Sequence, residues 1–291
     1  MNGIISVYKE KGYTSHDVVA RLRGILKQKK IGHTGTLDPE AEGVLPICLG
    51  KGTKLCDMIE NTDKTYRVTM RLGLETDTED MTGTVLREAP VTCSEAEVEK
   101  AILNFEGEQS QIPPMYSAIK INGKKLYELA RAGKVVERKP RQIHIYKIDI
   151  ESIQLPEVTM TVRCSKGTYI RSLCRDIGEI LSCGGCMKSL LRTEACGFTY
   201  HQSYRLDEIE TFMREGSLED KIVRIDTMFM QYPSVSVPTK FNKLLYNGNV
   251  IPIKVESTKG KIRVYDQEKH FIGLYQIKEN SLKPLKLFFD R

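Results

Sequence analysis

Residues 64–72, Lys-Thr-Tyr-Arg-Val-Thr-Met-Arg-Leu, alternate strictly between two chemistries. Tyr66, Val68, Met70 and Leu72 fall on one side, and Thr65, Arg67, Thr69 and Arg71 on the other. A period of two marks a strand with one buried and one solvated face. The elements around it follow no β-α-β rhythm. Residues 3–8 read as a strand. Thr14 and Asp17 then have capping-box spacing, opening a helix striped by Val18, Val19, Leu22, Ile25 and Leu26. Ser94 and Glu97 open a second capped helix, with Val98, Ala101, Ile102 and Phe105 inward. Residues 116–121 read as a strand closed by the tight-turn pair Asn122-Gly123, and residues 126–130 as a short helix stopped near Gly133. Residues 142–150 and 158–164 are further strands, after which Ile170, Leu173, Cys174, Ile177 and Leu181 recur at helical spacing. This irregular mixture favours neither a barrel of eight βα units nor a doubly wound sheet.

Near Pro233 the character of the chain changes. Short β-rich runs follow at residues 251–255, 261–265, 271–277 and 285–289, punctuated by Gly248, Gly260, Gly273 and Asn280-Ser281. They predict a small closed or barrel-like β domain over residues 234–291, following a body of residues 1–233. Charge divides at the same place. The tail has 11 Lys and Arg against 5 Asp and Glu, out of totals of 44 and 38, so residues 1–233 hold 33 of each and the tail carries the whole net charge of +6. A basic tail on a neutral body suits a polyanionic partner, with a solvated basic surface as the plain alternative.

No apolar run approaches the roughly 20 residues that span a bilayer. The first eight residues lack the basic flank and long apolar core of a signal peptide, and the eight cysteines read as reduced thiols. A cytoplasmic location is expected. Cys174, Cys183, Cys186 and Cys196 stand at the irregular spacing C-x8-C-x2-C-x9-C, and Cys174 falls on a helical apolar stripe, so buried thiols are favoured over zinc. No G-x4-G-K-[ST] loop, G-x-S-x-G elbow or dinucleotide fingerprint is present, so no cofactor is expected.

The densest motif is residues 32–46, Gly-His-Thr-Gly-Thr-Leu-Asp-Pro-Glu-Ala-Glu-Gly-Val-Leu-Pro. Asp38 is the one acid between Asp17 and Glu40. The proline after it keeps it out of helical geometry, and the glycines let backbone approach a ligand. Asp38 is a turn-former or a reactive carboxylate; the residues alone leave both open. Tyr66 is a core aromatic or a stacking platform for an unstacked base. Arg171, in Gly167-Thr168-Tyr169-Ile170-Arg171, points away from its helix's apolar stripe, either as a solvated arginine or as a fork for a carboxylate or phosphate. His33 is a base, a ligand or a loop histidine. No second His stands at ligand spacing, which argues against metal.

Together these segments resemble the TruB family of bacterial tRNA pseudouridine synthases. Residues 35–45 resemble its catalytic-aspartate motif and Lys64-Thr65-Tyr66 its tyrosine strand. Residues 167–173 resemble its arginine motif, and Leu190-Leu191-Arg192-Thr193 with Gly197-Phe198 its later leucine-arginine segment. Residues 263–266 and 282–286 resemble the PUA RNA-binding domain. The resemblance implies an α+β fold, a mixed and mainly antiparallel sheet with flanking helices, followed by a PUA-like β-barrel. It implies isomerisation of uridine 55 in the T-loop of tRNA to pseudouridine, without cofactor or metal. The base would be flipped out of its loop, at a cost of a few kcal/mol. Asp38 would act as nucleophile or as base, Arg171 as its counter-ion, and Tyr66 as the platform for the flipped base. His33 would fill the vacated space and Leu190 would wall the pocket. Gly35, Thr36, Leu37, Lys64 and Tyr169 complete the implied substrate-binding set. The chain would work as a monomer without an obligatory protein partner. Two rival readings are a tRNA-folding chaperone or RNA-binding scaffold with catalysis secondary, and a guide-RNA-dependent synthase that needs partner proteins.

Overall fold

The computed structural model describes residues 1–59, 62–255 and 260–289. In chain order the strands of the body are β1 (Gly3–Lys9), β2 (Ile31–His33), β3 (Glu42–Leu49), β4 (Lys64–Leu72), β5 (Leu74–Thr76), β6 (Val85–Glu88), β7 (Gly107–Gln111), β8 (Lys120–Ile121), β9 (Lys124–Lys125), β10 (Arg141–Gln154), β11 (Glu157–Cys164), β12 (Gly185–Ala195) and β13 (Phe198–Thr199). The tail adds β14 (Ser234–Ser236), β15 (Lys261–Tyr265), β16 (Phe271–Lys278) and β17 (Ser281–Leu287). The α-helices are α1 (Ser15–Leu26), α2 (Cys56–Ile59), α3 (Glu95–Leu103), α4 (Leu126–Arg131), α5 (Ile170–Ile180), α6 (Leu206–Glu215) and α7 (Asn242–Tyr246).

Nine strands form the main sheet, in the order β1-β3-β12-β4-β11-β10-β7, with β2 also on β3 and β13 on β12. Every pair is antiparallel except β3 with β12, which run parallel over Leu191–Glu42 and Arg192–Gly43. The fold is α+β, with a mainly antiparallel sheet and flanking helices. The alternation in β4 is realised: Tyr66, Val68, Met70 and Leu72 are buried in one apolar cluster with α3 and α5 residues. A second cluster packs α1 and α6 against β1 and β3. Both predicted capping boxes are present, Thr14–Asp17 on α1 and Ser94–Glu97 on α3. Each fixes where its helix begins and contributes about 1 kcal/mol.

Several elements depart from the sequence expectation. The second half of residues 32–46 is strand β3, with Pro46 inside it opposite Ser6. Proline cannot donate to a ladder. Pro46 offers its carbonyl instead, which accepts from the Thr34 N–H at 3.1 Å. Of residues 116–121 only Lys120–Ile121 is strand. Strand β12 lies inside the sheet between β3 and β4, and shows no alternation in sequence because two register shifts against β4 break its period.

The tail forms a four-stranded sheet, β14-β15-β16-β17. The run 251–255 contributes a single bridge, Ile251 to Leu282, rather than a strand. Residues 256–259 and 290–291 of the expected tail domain lie outside the described residues. Leu274 and Phe288 share one apolar cluster with Ile4, Val44, Phe198 and Phe229 of the body, so the tail sheet is packed against the main one. Among the described residues no helix is long and apolar enough to cross a membrane.

Candidate active site

Residues 34–41 connect β2 to β3 and carry Asp38. The loop is pinned at several points. Leu37 is buried, and its N–H donates to Ser15 Oγ at 2.9 Å. The Ala41 N–H donates to the Asp38 carbonyl at 3.1 Å, and the Gly12 N–H to the Pro39 carbonyl at 2.9 Å. Lys9, fully buried at the end of β1, donates to the carbonyls of Tyr13 at 2.6 Å, Pro39 at 3.0 Å and Glu10 at 3.1 Å. Burial pushes its ammonium down to about 8, against the pull of Asp38. Arg192, from β12, donates to the carbonyls of Val44 at 2.7 Å and Gly35 at 3.1 Å, and to that of Thr36 at 3.5 Å.

Asp38 meets Arg171, whose Nε stands 3.0 Å from Oδ2. Arg171 occupies the first turn of α5. The sequence left it as a solvated arginine or a carboxylate fork; its side chain is only 5% exposed, which fits the fork. Its remaining donors are engaged too, Nη1 on the Thr78 carbonyl at 3.0 Å and Nη2 on the Tyr116 carbonyl at 2.8 Å. A second carboxylate, Asp80 Oδ2, lies 3.8 Å from Nη1. Asp80 is itself clamped by the hydroxyls of Thr78 at 2.7 Å and Thr82 at 2.6 Å. The acidic turn after β5 is thus an acceptor cradle for α5: Glu79, next to Asp80, takes Ser172 Oγ at 2.6 Å and pairs with Arg175.

The electrostatics of Asp38 balance opposed effects. Burial raises its carboxyl above the usual value, Arg171 opposes that rise, and Asp80 adds to it. Solvent still reaches 41% of the side chain. The two facts fit a carboxylate at the floor of an opening, walled by protein yet open to an incoming molecule.

Tyr66 is 8% exposed and shares the apolar cluster that includes Leu37, Ala41 and Leu190. Asp38 and Arg171 meet directly, Tyr66 is close enough for the Asp38 charge to act on its phenol, and Leu37 and Leu190 belong to the same apolar cluster as Tyr66. Burial pushes the Tyr66 phenol up to about 12, with Arg192 opposing. Gly35 has φ +73°, and a Cβ there would lie 3.5 Å from both Arg192 Nη1 and Lys64 Cε, so Lys64 stands beside the loop. The Lys64 ammonium donates to the Thr62 carbonyl at 2.8 Å. Thr36 contributes its carbonyl to Arg192. Tyr169 precedes α5 and exchanges two hydrogen bonds with the Gln111 amide, at 2.8 and 3.0 Å, which fixes the start of the arginine helix. His33 meets His16 edge-on, with ring centroids 5.6 Å apart, and its buried Nδ1 has no hydrogen-bond partner. Burial holds its imidazole below the usual value, which keeps it neutral at pH 7.

The four cysteines do not converge. Cys174 and Cys183 lie in the cluster with Tyr66, and Cys196 in the one shared with the tail. Asp266, Glu268 and His270 form a group with metal-ligand spacing, but on the tail sheet, without relation to Asp38. Three further residues touch the Asp38 loop or Arg171: Lys9 and Asp80, which the sequence does not single out, and Arg192, which stands in the leucine-arginine segment. Lys9 carried one signal, a cation closing a mostly apolar strand. Asp80 carried none, since acidic turns are ordinarily solvated.

Comparison with known proteins accords with this geometry. Residues 23–170 match the model of the TruB family pseudouridylate synthase N-terminal domain. Residues 171–230 match the tRNA pseudouridylate synthase B C-terminal domain, and residues 233–288 the pseudouridine synthase II TruB C-terminal domain. The chain belongs to the TruB family. The tRNA pseudouridine synthase B of Lachnoclostridium phytofermentans is 53% identical over 306 residues, aligning 99% of this chain and all of that one. That of Clostridium acetobutylicum is 45% identical over 292 residues, with 99% of each aligned. Among solved structures, a Cbf5-Nop10-Gar1 complex superposes with TM-score 0.73 at 25% identity, covering 99% of this chain and 85% of that one. An H/ACA ribonucleoprotein bound to a substrate RNA containing 2'-deoxyuridine superposes with TM-score 0.72 at 22% identity, covering 99% and 86%, and shares the fold. As a TruB-family chain this is a pseudouridine synthase, an isomerase.

Proposed function

We propose that this chain isomerises uridine 55 in the T-loop of tRNA to pseudouridine, and that Asp38 is its catalytic carboxylate. The observation that carries the reading is the Asp38–Arg171 pair at 3.0 Å, with solvent reaching 41% of the Asp38 side chain and Tyr66 near enough for the Asp38 charge to act on its phenol. Its tRNA substrate is the one named for the relatives that align over the whole chain. Isomerisation breaks the bond from ribose C1' to base N1 and makes one from C1' to base C5. The C5 proton is lost and N1 gains one, so atoms balance without an oxidant or cofactor. Asp38 supplies the carboxylate that attacks base or ribose, or removes a ribose proton. Arg171 keeps that carboxylate ionised and aimed, and Tyr66 lies flat against the flipped base, near the carbon that must lose its proton. The tail, residues 234–291, adds a basic surface for the RNA backbone. The chain acts alone, as a monomer, in the cytoplasm where tRNA matures.

The test is Asp38→Asn on a T-arm hairpin transcript, with pseudouridine measured by nucleoside mass spectrometry. The purified wild-type chain alone is expected to convert the hairpin, and the variant to bind it normally and convert none. Conversion near the wild-type rate by the variant would remove Asp38 from the mechanism. A wild-type chain that binds and refolds the hairpin without converting it would leave the chaperone reading. Activity only after partner proteins and a guide RNA are added would leave the guided one.

A further inference from the structure

Among the described residues Arg192 is the largest side chain with no solvent exposure. A guanidinium taken out of water normally brings a carboxylate with it, because the desolvation cost is several kcal/mol per ion. Among the described residues no carboxylate lies within ion-pair distance of Arg192. Its partners are three neutral carbonyls, Gly35 and Thr36 before Asp38 and Val44 after it. A single side chain thus ties the two ends of the Asp38 loop together. The backbone is shaped to admit it. Gly43 has φ +104°, and a Cβ there would stand 2.2 Å from the Arg192 carbonyl oxygen, so only glycine lets β3 lie this close to β12. The register of β12 against β4 shifts between Arg192 and Glu194, an irregularity of the kind that re-aims a side chain beside a site. Across that register Arg192 faces Tyr66.

We infer that Arg192 is a positioning residue for the proposed isomerisation: its three carbonyl bonds fix the Asp38 loop, and its charge stands beside Tyr66. The inference rests on the reading of Asp38 and Tyr66 given above. A lysine at 192 keeps the charge but loses the planar fork, so it holds fewer of the three carbonyls at once. The loop then loosens while the surface that meets the RNA is untouched. A displacement of about 1 Å at a reacting group costs up to about 100-fold in rate. For Arg192→Lys we therefore expect kcat to fall by about 30-fold with KM within about threefold. Arg192→Met, which removes the charge as well, is expected to lower kcat further.

Two measurements test this. Steady-state kinetics on the T-arm hairpin reads the kcat and KM split. Amide hydrogen exchange on the free protein reads the loop independently of activity, with faster exchange in Arg192→Lys expected at Leu37 and Ala41 and none in the tail sheet. Unchanged exchange at those amides overturns the inference even where kcat falls. Equal losses in kcat and in folded fraction overturn it as well, as does an Arg192→Lys chain that fails to fold. If the wild-type chain makes no pseudouridine, the functional reading fails, and the exchange experiment still decides whether Arg192 holds the loop.

Discussion

Arg171 reaches Asp38 at 3.0 Å and Arg67 reaches Glu151 at 2.7 Å, on opposite faces of one sheet. Arg171 lies on the face that α5 and the body of β4 bury; Arg67 projects from the same strand to the other side. By distance the pairs are near equals. By setting they are not, for Arg171 is 5% exposed with each nitrogen engaged, while Arg67 is 53% exposed and one nitrogen carries its pair. Ion-pair length therefore says little about role. What separates the two is desolvation, which strengthens every charge interaction nearby and punishes each one that is removed.

The comparison breaks most visibly at Arg171. Arg171→Met leaves Asp38 and Asp80 without their shared cation, and kcat is expected to fall about 1000-fold. The acid limb of the kcat–pH profile should move with it. Burial already holds the Asp38 proton to a higher pH than usual, and Arg171 is the main opposing influence, so its loss moves the limb up. Asp80→Asn removes a like charge, so there the limb moves down, with a smaller loss in kcat. Shifts of the same sign in both variants would show that Asp38 is not the titrating group. The stability sign follows as well. The folded chain binds this proton more tightly than the unfolded one, so the contribution is complete below about pH 3.8 and is lost as pH rises through the folded value.

Lys9 sharpens the comparison from the other side, as a buried cation that meets carbonyls rather than a carboxylate. Its folded value is about 8 against 10.5 when free, so the unfolded chain binds the proton more tightly between those limits. Wild type should accordingly gain stability relative to Lys9→Met as pH rises from 8 to 10.5. Urea midpoints of the two chains across that range check it. Parallel curves would mean that Lys9 is charged and solvated, against its burial.

Much of this was legible beforehand, and the failures have physical causes. Capping boxes, the strand at 64–72 and the helix at 170–180 depend on neighbours within a few residues, and those neighbours were visible. Asp38 and Tyr66 stood out only as an acid on a loop and an aromatic on a buried face. What made them a site was a contact between residues 133 positions apart, which no local pattern encodes. For Arg171 the pattern left a solvated arginine and a carboxylate fork both open, because a helical stripe tells which face is apolar and not what the other face meets. That face met the turn after β5. Strand β12 was missed because its register shifts spoil the alternation by which strands are recognised. The tail was read as an electrostatic handle, and its sheet also buries Leu274 and Phe288 against the body. Cutting it away would strip a core as well as a charge.

Arg67 supplies the smallest expected effect and the control for all the others. Burial works to raise the Glu151 carboxyl, but bonds from Thr161 at 2.7 Å and from Arg67 outweigh it and hold the group below its usual value. A depressed carboxyl contributes stability above its unfolded value and loses it as pH falls. Here solvent screens most of that contribution, since both partners are a third exposed or more. Arg67→Ala is expected to change stability by less than about 0.5 kcal/mol at neutral pH, with the difference shrinking further in high salt. Turnover on the T-arm hairpin should stay within about twofold, because alternation along β4 turns Arg67 away from Tyr66. A tenfold loss of turnover with unchanged stability would mean that the solvated face of the sheet also meets the RNA, and that the division between the two faces is not the one between structure and chemistry.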